Sequence, residues 1–518
     1  MHADQPRFVD RTVRLLQELV GPEARKAHDC LVKANVGVTA SSSSLQSMQG
    51  RMLLALTVNL LARTFAQVSI LPPLRGRLLD QLAGDFAQFW GFPLDAIGAG
   101  RIVENATCDL VLAIGKAESP TVHSQMVTIG CTGWISEYQH GPGPVVVSDP
   151  INPVGVAVSA SMGVAQLFAK AVAPSLRQPR FRKAMAGPHT LRWSALSYRQ
   201  DDANHPLPPQ ISLDHVVLAG MGGVGAALET VLAWTPGLQG TVTLVDPDRI
   251  EESNLNRFLA APRSAVGRLK VEVARDHMAR QQPNLKVLAA PLTYQQFVRR
   301  VGRPRGTVVS TVDNDEARAF IQTDLPRVVI DGATSGPVIG VSRHTFLDGA
   351  CLGCIHPGTR QLYSQELQMA RLLGWPLGTV IERLATDEPL SPQDLRMLGE
   401  HLGLGKGLEF REGKPLRVFW AEDVCGKIDL PVETAAQSPS GSAAFVSTLA
   451  GALAAGELLK DATGMVPLDN EFRMQVFQGP TNAFPRKRPK DPKCRCFCSE
   501  DAMRLAYLEI HSRREAVP

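Results

Sequence analysis

The sequence predicts an α/β protein of two domains, each a parallel sheet flanked by helices, with a small helical insertion. Three observations lead to this prediction. Residues 216–246 follow the pattern strand, glycine-rich turn, helix, strand, and an acidic residue closes the second strand. Two segments rich in Ala and Gly, 156–172 and 442–460, predict similar helices. A chain of 518 residues is also too long for a single hydrophobic core.

The composition argues against several classes of protein. Hydrophobic residues make up 44% of the chain and charged residues 20%, an ordinary globular balance, and the net charge is +4. No long basic run is interleaved with aromatic residues, so nucleic acid is not expected as a partner. The most apolar window, 52–71, contains Asn59, Arg63 and Gln67 and predicts a buried helix instead of a membrane span. Nine cysteines, an odd number and partly clustered, favour a reducing compartment, and we expect the cytoplasm.

A glycine turn follows the apolar run 216–219 and leads into a helical pattern. Its glycines let backbone N–H groups and the helix N-terminus approach a phosphate. A second apolar run, 242–245, ends at Asp246, whose carboxylate can accept hydrogen bonds from ribose hydroxyl groups. These features predict a nucleotide site but do not separate a dinucleotide from ATP. The glycines assigned to this site are Gly220, Gly222, Gly223 and Gly225.

Charged residues downstream of the turn favour an adenylating enzyme. Attack of a carboxylate on the α-phosphate of ATP builds negative charge, which Arg257 and Lys270 can offset. Asp313 follows a further strand-like segment and can hold Mg²⁺ against the phosphate oxygens. A hydride-transfer enzyme, the alternative, does not need this set. The other residues assigned to the nucleotide site are Asp246, Asp248, Asn254 and Asn256.

This set of residues, in this order, resembles the family that activates ubiquitin and ubiquitin-like proteins, together with its bacterial relatives in thiamine and molybdopterin biosynthesis (ThiF/MoeB-type adenylyltransferases). The resemblance covers residues 211–360 and resumes near 425–500. It implies Rossmann-like adenylation domains that use ATP and Mg²⁺. It also implies that an N-terminal arginine, Arg11 or Arg14, contacts the triphosphate, although surface arginines on an amphipathic helix need no such role.

The two halves of the chain also resemble each other. A turn with proline and glycine precedes the small-residue helix in each half, at 153–172 and at 439–460. Upstream, the apolar segment 108–115 occupies a place like that of 306–313. We interpret this as a degenerate internal repeat whose first copy lacks the glycine turn and the ribose acid and should not bind ATP. The alternative is an unrelated helical domain whose small-residue helix packs closely by coincidence.

A polar, proline-rich linker is predicted at 176–210. It divides the chain into an inactive adenylation-like domain, 1–205, and an active adenylation domain, 206–518. The segment 360–420 reads as helices with a proline-containing turn. The resemblance places the catalytic-cysteine crossover region here, over about 360–438, and its shortness predicts a small insertion.

Five of the nine cysteines fall in two short windows. Cys351 and Cys354 form a CxxC pair, and Cys494, Cys496 and Cys498 form a CxCxC cluster. Two clusters that each present two thiolates suit a tetrahedral structural Zn²⁺ ion. The resembled family has a zinc-binding CxxC pair at both places. Because the second window departs from CxxC, two of its three cysteines must serve, and the sequence does not say which; free buried cysteines are the alternative.

Cys425 lies between these windows, in the segment 419–431. The resembled family places its crossover loop in this interval and, in many members, the cysteine that forms a thioester. A thiolate that attacks an acyl-adenylate needs access and a modestly lowered pKa, which Lys427 or a helix end can supply. The alternative is an inert core cysteine.

The predicted function is ATP- and Mg²⁺-dependent adenylation of the C-terminus of a ubiquitin-like protein, followed by thioester formation on Cys425 and transfer to a partner that resembles a ubiquitin-conjugating enzyme. The layout resembles activating enzymes of bacterial ubiquitin-like conjugation operons, which implies a bacterial, antiviral context. One alternative is an adenylyltransferase for a sulfur-carrier protein, which does not need an inactive N-terminal copy. The other is a non-catalytic scaffold, but a scaffold has no use for the charges of Arg257, Lys270 and Asp313 at a transition state.

Overall fold

The computed structural model describes most of the chain, and within the described residues helices and strands alternate as the sequence predicts. The described residues are 10–71, 77–97, 101–104, 108–116, 125–356, 369–370, 373–402, 412–420, 442–483, 485–490, 498 and 501–512. The helices are α1 Asp10–Val20, α2 Ala24–Lys33, α3 Met48–Ala62, α4 Arg77–Trp90, α5 Pro153–Val172, α6 Pro179–Ala184, α7 Gly223–Trp234, α8 Lys270–Gln281, α9 Tyr294–Val301, α10 Asp315–Thr323, α11 Leu352–Ile355, α12 Leu377–Thr386, α13 Pro392–Leu402, α14 Leu416–Phe419, α15 Ala444–Thr463 and α16 Asp501–Ser512. The strands are β1 Val36–Ala40, β2 Gln67–Ile70, β3 Arg101–Glu104, β4 Leu110–Ile114, β5 Gln125–Thr132, β6 Ile135–His140, β7 Val147–Ser148, β8 Thr190–Ser194, β9 Ile211–Ala219, β10 Leu238–Val245, β11 Leu285–Ala290, β12 Thr307–Ser310, β13 Val328–Ser335, β14 Val338–His344 and β15 Glu471–Gln475.

The strands form two sheets with the same plan. The first has the order β3-β2-β1-β4-β5-β6-β8, with β7 beside β5, and the second has the order β11-β10-β9-β12-β13-β14-β15. In each sheet the first five strands of this order run parallel and the last two pairs are antiparallel. The predicted α/β class with parallel-rich sheets is confirmed. The shared strand order supports the internal repeat, which stays a prediction.

The predicted strand, turn, helix and strand are β9, the glycine turn, α7 and β10, and both strands belong to the second sheet. β9 pairs with β10 on one side and with β12 on the other, and its last four residues are buried. A parallel strand covered on both faces is apolar along its length instead of alternating. α7 is buried from Gly225 to Trp234 because it packs against β13, α8 and α15.

Two small-residue helices join the sheets. α5 packs on the first sheet and α15 on the second, the two helices contact each other, and one hydrophobic core includes residues of both sheets. A Cβ at Gly451 would lie 2.4 Å from the Val224 carbonyl oxygen, so glycine is needed where α15 approaches α7. Among the described residues one helix, Pro153–Ser175, is long and apolar enough to cross a membrane, but 83% of its most apolar window is buried inside the protein. Its apolarity therefore fits a core helix.

Two local predictions are wrong. Residues 52–71 do not form one buried helix, because α3 ends at Ala62 and the strand β2 begins at Gln67. Residues 176–210 are not simply a linker, because they contain α6 and β8, the edge strand of the first sheet. In β8 the buried Leu191 and Trp193 alternate with exposed neighbours, a strand pattern too short to stand out among polar residues. The domain boundary near residue 205 stays a prediction.

The described part of 360–420 is helical, as predicted. α12, α13 and α14 surround a separate hydrophobic cluster that includes Leu384, Leu398 and Phe419. This small core explains how a short insertion can be ordered without a full additional domain.

Candidate functional site

The glycine turn between β9 and α7 has no room for a side chain at three positions. Gly220 has a φ of +93°, and a Cβ there would lie 2.9 Å from the backbone that follows β12. A Cβ on Gly223 would lie 2.8 Å from the Arg257 side chain, and one on Gly225 would lie 2.1 Å from the Gly220 carbonyl oxygen. Gly222, at the N-cap of α7, has open space around it and supplies no capping oxygen. The first N–H groups of α7 are therefore suited to an anionic ligand.

Two acids and a lysine meet beside this turn. Asp246 is buried after β10, where it accepts hydrogen bonds from the Met221 N–H at 2.6 Å and the Asp248 N–H at 2.8 Å. Lys270, the first residue of α8, places its Nζ 2.7 Å from Asp248 Oδ2 and 3.9 Å from Asp246 Oδ1. Burial raises the pKa of Asp246, against the opposing effects of Lys270 and the two backbone N–H groups. The structure brings these predicted residues together, and their binding role stays a prediction.

The segment that carries Arg257 completes a cleft at the turn. Arg257 Nη1 donates to the Ser253 carbonyl at 3.2 Å and to Asn256 Oδ1 at 3.1 Å. Asn256 is 1% exposed, and its side chain orients Arg257; a contact of Asn256 with a nucleotide stays a prediction. Asn254 Oδ1 accepts the Glu251 N–H at 3.2 Å, which shapes the turn before Arg257. The cleft is lined by Gly222, Gly223, Asn254, Arg257, Phe258 and Lys270.

Asp313 lies on the neighbouring loop, after β12. Two residues earlier, the Thr311 hydroxyl donates to the Gly220 carbonyl at 2.6 Å, which ties this loop to the glycine turn. On the other side, Asn314 caps α10 by accepting the Ala317 N–H at 2.8 Å. The Asp313 side chain is exposed between these two anchors. A carboxylate in this position suits Mg²⁺, which prefers oxygen ligands.

A buried carboxylate behind this loop was not predicted from the sequence. Asp331, in β13, accepts the Ser310 hydroxyl at 2.8 Å and Arg318 Nε at 3.3 Å, and His356 Nε2 lies 3.0 Å away. Arg318 also donates to the Val312 carbonyl at 2.6 Å, so the network fixes the loop that carries the predicted magnesium ligand. Burial opposes ionisation, but Arg318, His356 and Ser310 hold the pKa of Asp331 well below its usual range. An acid within an apolar strand pattern is the only sign of it in the sequence.

Both predicted N-terminal arginines, Arg11 and Arg14, lie on α1. Arg14 is exposed, and the side chain of Arg11 lies outside the described residues. Further along the helix, the Glu18 carboxylate approaches Gly336, in the turn between β13 and β14. The contact of Arg11 or Arg14 with a triphosphate stays a prediction.

Three buried cysteines form a compact cluster. Cys354 Sγ lies 3.9 Å from Cys351 Sγ and 3.7 Å from Cys498 Sγ, and all three sulfur atoms lie within 4.8 Å of one another. A disulfide would need about 2 Å. Tetrahedral zinc with bonds of about 2.3 Å separates its sulfur ligands by about 3.8 Å, so the cluster fits a metal. Cys498 thus joins the CxxC pair, while Cys494 and Cys496 lie outside the described residues; bound zinc stays a prediction.

Purified protein is expected to hold about one zinc ion per chain. Cys354→Ser should remove most of this metal and lower the melting temperature by ~5 °C or more, because the ion links two segments far apart in sequence. Metal content by mass spectrometry and a thermal melt measure both effects. Cys30→Ser, a half-buried cysteine in α2, is the matched control. The site would be refuted if the wild-type protein contained no zinc and Cys354→Ser had the same melting temperature as wild type.

The predicted nucleophile, Cys425, lies outside the described residues. Before Cys425 the described chain ends just after α14, and after Cys425 it begins again shortly before α15. Elsewhere, burial raises the pKa of Cys131 to about 12, which makes that thiol a poor nucleophile. A thioester on Cys425 stays a prediction.

The fold and the cleft define an α/β protein with a glycine turn suited to a phosphate. The chain belongs to the ThiF family, whose model matches residues 205–498, and this is a family of E1-like adenylyltransferases. The chain is 27% identical to uncharacterized protein y4jF of Sinorhizobium fredii, over 92% of this chain and 91% of that protein. It is 32% identical over 139 residues to ubiquitin-like modifier-activating enzyme 7 of Homo sapiens, a match to 24% of this chain and 13% of that enzyme. The crystal structure of E. coli MccB with AMPCPP and MccA is 14% identical and aligns with a TM-score of 0.35, over 71% of this chain and 97% of MccB.

Proposed function

We propose that this chain uses ATP and Mg²⁺ to adenylate the C-terminal carboxylate of a ubiquitin-like protein and then receives the acyl group on a cysteine. The observation that carries the proposal is the meeting of the glycine turn, Arg257 and Lys270 in one cleft. Family membership supplies adenylation as the type of reaction. The name of the human relative, ubiquitin-like modifier-activating enzyme 7, suggests a ubiquitin-like protein as the class of substrate.

The first step forms a bond between a carboxylate oxygen and the α-phosphorus, and it breaks the bond from that phosphorus to pyrophosphate. Negative charge grows on the phosphate oxygens as the bond forms. Arg257, Lys270 and the N-terminus of α7 would stabilise this charge, while Asp246 would accept a ribose hydroxyl. Asp313 would hold Mg²⁺, which neutralises phosphate oxygens when bound.

The second step forms a carbon–sulfur bond as a thiolate attacks the acyl carbon, and AMP leaves. We assign this step to Cys425, in the crossover region of about 360–438. The acyl group would then pass to a partner that resembles a ubiquitin-conjugating enzyme. This assignment follows from family resemblance and from the position of Cys425 between the cysteines of the proposed zinc site.

The proposal also assigns residues 1–205 to an inactive copy of the domain and 206–518 to the active one. Where the second sheet has its glycine turn, the first sheet has a serine-rich turn between β1 and α3. In that turn the hydroxyl groups of Ser41 and Ser44 lie 2.7 Å apart and hydrogen-bond to each other. The same strand order with a different turn supports a duplicated domain that has one nucleotide site.

Cys425→Ser is expected to leave ATP–pyrophosphate exchange unchanged and to remove all of the reducible adduct with the substrate, because the thiol acts only after the adenylate has formed. The probe is the ubiquitin-like protein encoded nearest to this chain in its genome. Wild type, Cys425→Ser and the control Cys30→Ser are incubated with ATP and this probe and compared on a non-reducing gel. Serine can instead trap an oxyester, which survives reducing agent but not hydroxide.

Each other outcome has a distinct meaning. A reducible band that persists in Cys425→Ser contradicts the assignment of the nucleophile and directs attention to Cys498. Adenylation without any adduct in the wild type favours the adenylyltransferase for a sulfur-carrier protein. Nucleotide binding without adenylation favours the scaffold.

A further inference from the structure

Arg63, which follows α3 in the first half of the chain, contacts the segment that carries Arg257 in the second half. It is 2% exposed. Its Nη1 donates to the Leu255 carbonyl, and its Nη2 donates to the carbonyls of Leu259 at 2.9 Å and Ala261 at 3.2 Å. One guanidinium group therefore binds three carbonyl groups of a single loop.

Asn59, one turn earlier on α3, completes this contact. Its Oδ1 accepts from Arg63 Nε at 2.5 Å, and its Nδ2 donates to the Leu259 carbonyl at 3.3 Å. The rigid fork of donors in a guanidinium suits several fixed acceptors at once, which a lysine cannot reproduce. The two side chains together hold the backbone of the loop in one position.

The hydrogen-bond acceptors of Arg63 in the described structure are all uncharged oxygens. Among the described residues no carboxylate pairs with Arg63, so dipoles compensate its charge there, and burial lowers the pKa of Arg63 to about 9. Burial of a charge without a counterion costs stability, which an apolar side chain of similar size would avoid. This cost favours a role beyond holding the two halves together.

The loop is also anchored on the side of the second half. The side chains of Leu255, Phe258 and Ala261 lie in a hydrophobic cluster with Ala226 of α7 and Val273 of α8. The apolar side chains thus pack against the second half while three carbonyl groups contact Arg63. Arg257 projects from the middle of a loop that is fixed on both sides.

We propose that Arg63 is a positioning residue for the adenylation cleft: by holding the backbone of residues 255–261, it sets Arg257 towards the reacting phosphate. This inference rests on the proposed function of the cleft. It gives the first half of the chain a part in the reaction through Arg257, although that half has no glycine turn of its own.

Arg63→Met keeps the apolar stem and removes every donor, and Arg63→Lys keeps the charge without the fork. We expect Arg63→Met to lower kcat for ATP–pyrophosphate exchange on the order of 10- to 100-fold, because Arg257 is misplaced. KM for ATP should change less than about threefold, since the glycine turn and Asp246 are untouched. Arg63→Lys should lower kcat less than Arg63→Met does. Amide hydrogens of 255–261 should exchange about tenfold faster in Arg63→Met.

Arg280→Met is the matched control. Arg280 Nη2 donates to the Trp90 carbonyl at 3.0 Å, so it also joins the two halves, but it lies near the far end of α8 from Lys270. If looser contact between the halves were the cause, Arg280→Met would lose activity as Arg63→Met does. We expect wild-type kcat and wild-type exchange at 255–261 in this control.

A double variant tests whether Arg63 acts through Arg257. Arg63→Met should cause little further loss in an Arg257→Ala background, because the group that it positions is already absent. The inference would be overturned if the fold-decreases in kcat of the two single variants multiplied in the double variant. It would also be overturned if Arg63→Met matched wild type in kcat and hydrogen exchange. A wild type without any pyrophosphate exchange would overturn the proposed function instead. Hydrogen exchange at 255–261 would then still decide whether Arg63 holds the loop.

Discussion

Asp313→Ala is expected to abolish substrate-dependent ATP–pyrophosphate exchange, because Mg²⁺ loses its carboxylate ligand beside the reacting phosphate. The Asp313 side chain is exposed, and Thr311 and Asn314 hold its loop without it. The fold should therefore survive the substitution. Exchange of labelled pyrophosphate into ATP, measured over a range of Mg²⁺ concentrations, gives the size of the effect.

The matched control for Asp313 is Glu316→Ala. Glu316 is an exposed acid three residues later, in the first turn of α10, and it has no assigned role in the cleft. Its removal should leave exchange at the wild-type rate and the melting temperature unchanged. An Asp313→Ala enzyme that exchanges as fast as this control would remove Asp313 from the site.

Lys270→Ala is expected to lower adenylation by ~100-fold or more, as does the loss of one preorganised charge donor in other enzymes. The Lys270 side chain is 10% exposed and lies between two carboxylates, with its Nζ 2.7 Å from Asp248 and 3.9 Å from Asp246. The substitution removes the cation that offsets both the acids and the developing charge on phosphate. Arg257→Ala should have an effect of similar size. Steady-state exchange kinetics measure both.

Arg268→Ala is the control for the loss of a nearby positive charge. Arg268 forms a surface ion pair with Asp276 at 2.6 Å, and such pairs contribute little to stability. We expect the wild-type rate in this variant. Near-wild-type adenylation in Lys270→Ala would show that this lysine does not act on the phosphates.

The sequence predicts that the glycine turn and Asp246 are neighbours because the signals for both are local. The glycine turn, Asp246 and the apolar runs around them form one continuous pattern that only a strand, turn and helix satisfy. Lys270 and Asp313 lie far along the chain, but parallel strands end at the same edge of a sheet. Their loops therefore converge on the turn.

Contacts between distant segments are not visible in such patterns. Arg63 appears in the sequence only as a polar residue within an apolar window, while its carbonyl partners are 192 to 198 residues away. The end of α3 is also concealed, because residues 63–66 contain neither glycine nor proline. The partners of Asp331 likewise come from separate elements, so no spacing rule identifies the network.

The cysteine clusters can be predicted from the sequence only in part. The CxxC pair marks one half of the candidate metal site by itself, but the structure is needed to show that Cys498 lies 3.7 Å from Cys354. Cys425 is predicted from its interval alone. Because Cys425 lies outside the described residues, only the thioester experiment tests its assignment as the nucleophile.

The most direct test of the central claim is the identity of the products from ATP. The wild-type chain is incubated with Mg²⁺, ATP labelled at both the α- and γ-phosphates, and the ubiquitin-like protein encoded nearest to it. Adenylation predicts γ-label released only in pyrophosphate and α-label recovered as AMP or as an AMP adduct of the substrate, in equal amounts. Removal of the substrate's C-terminal residue should stop both the release of pyrophosphate and the formation of AMP or the AMP adduct. Release of ADP and inorganic phosphate, or the absence of any substrate-dependent turnover, would contradict the account.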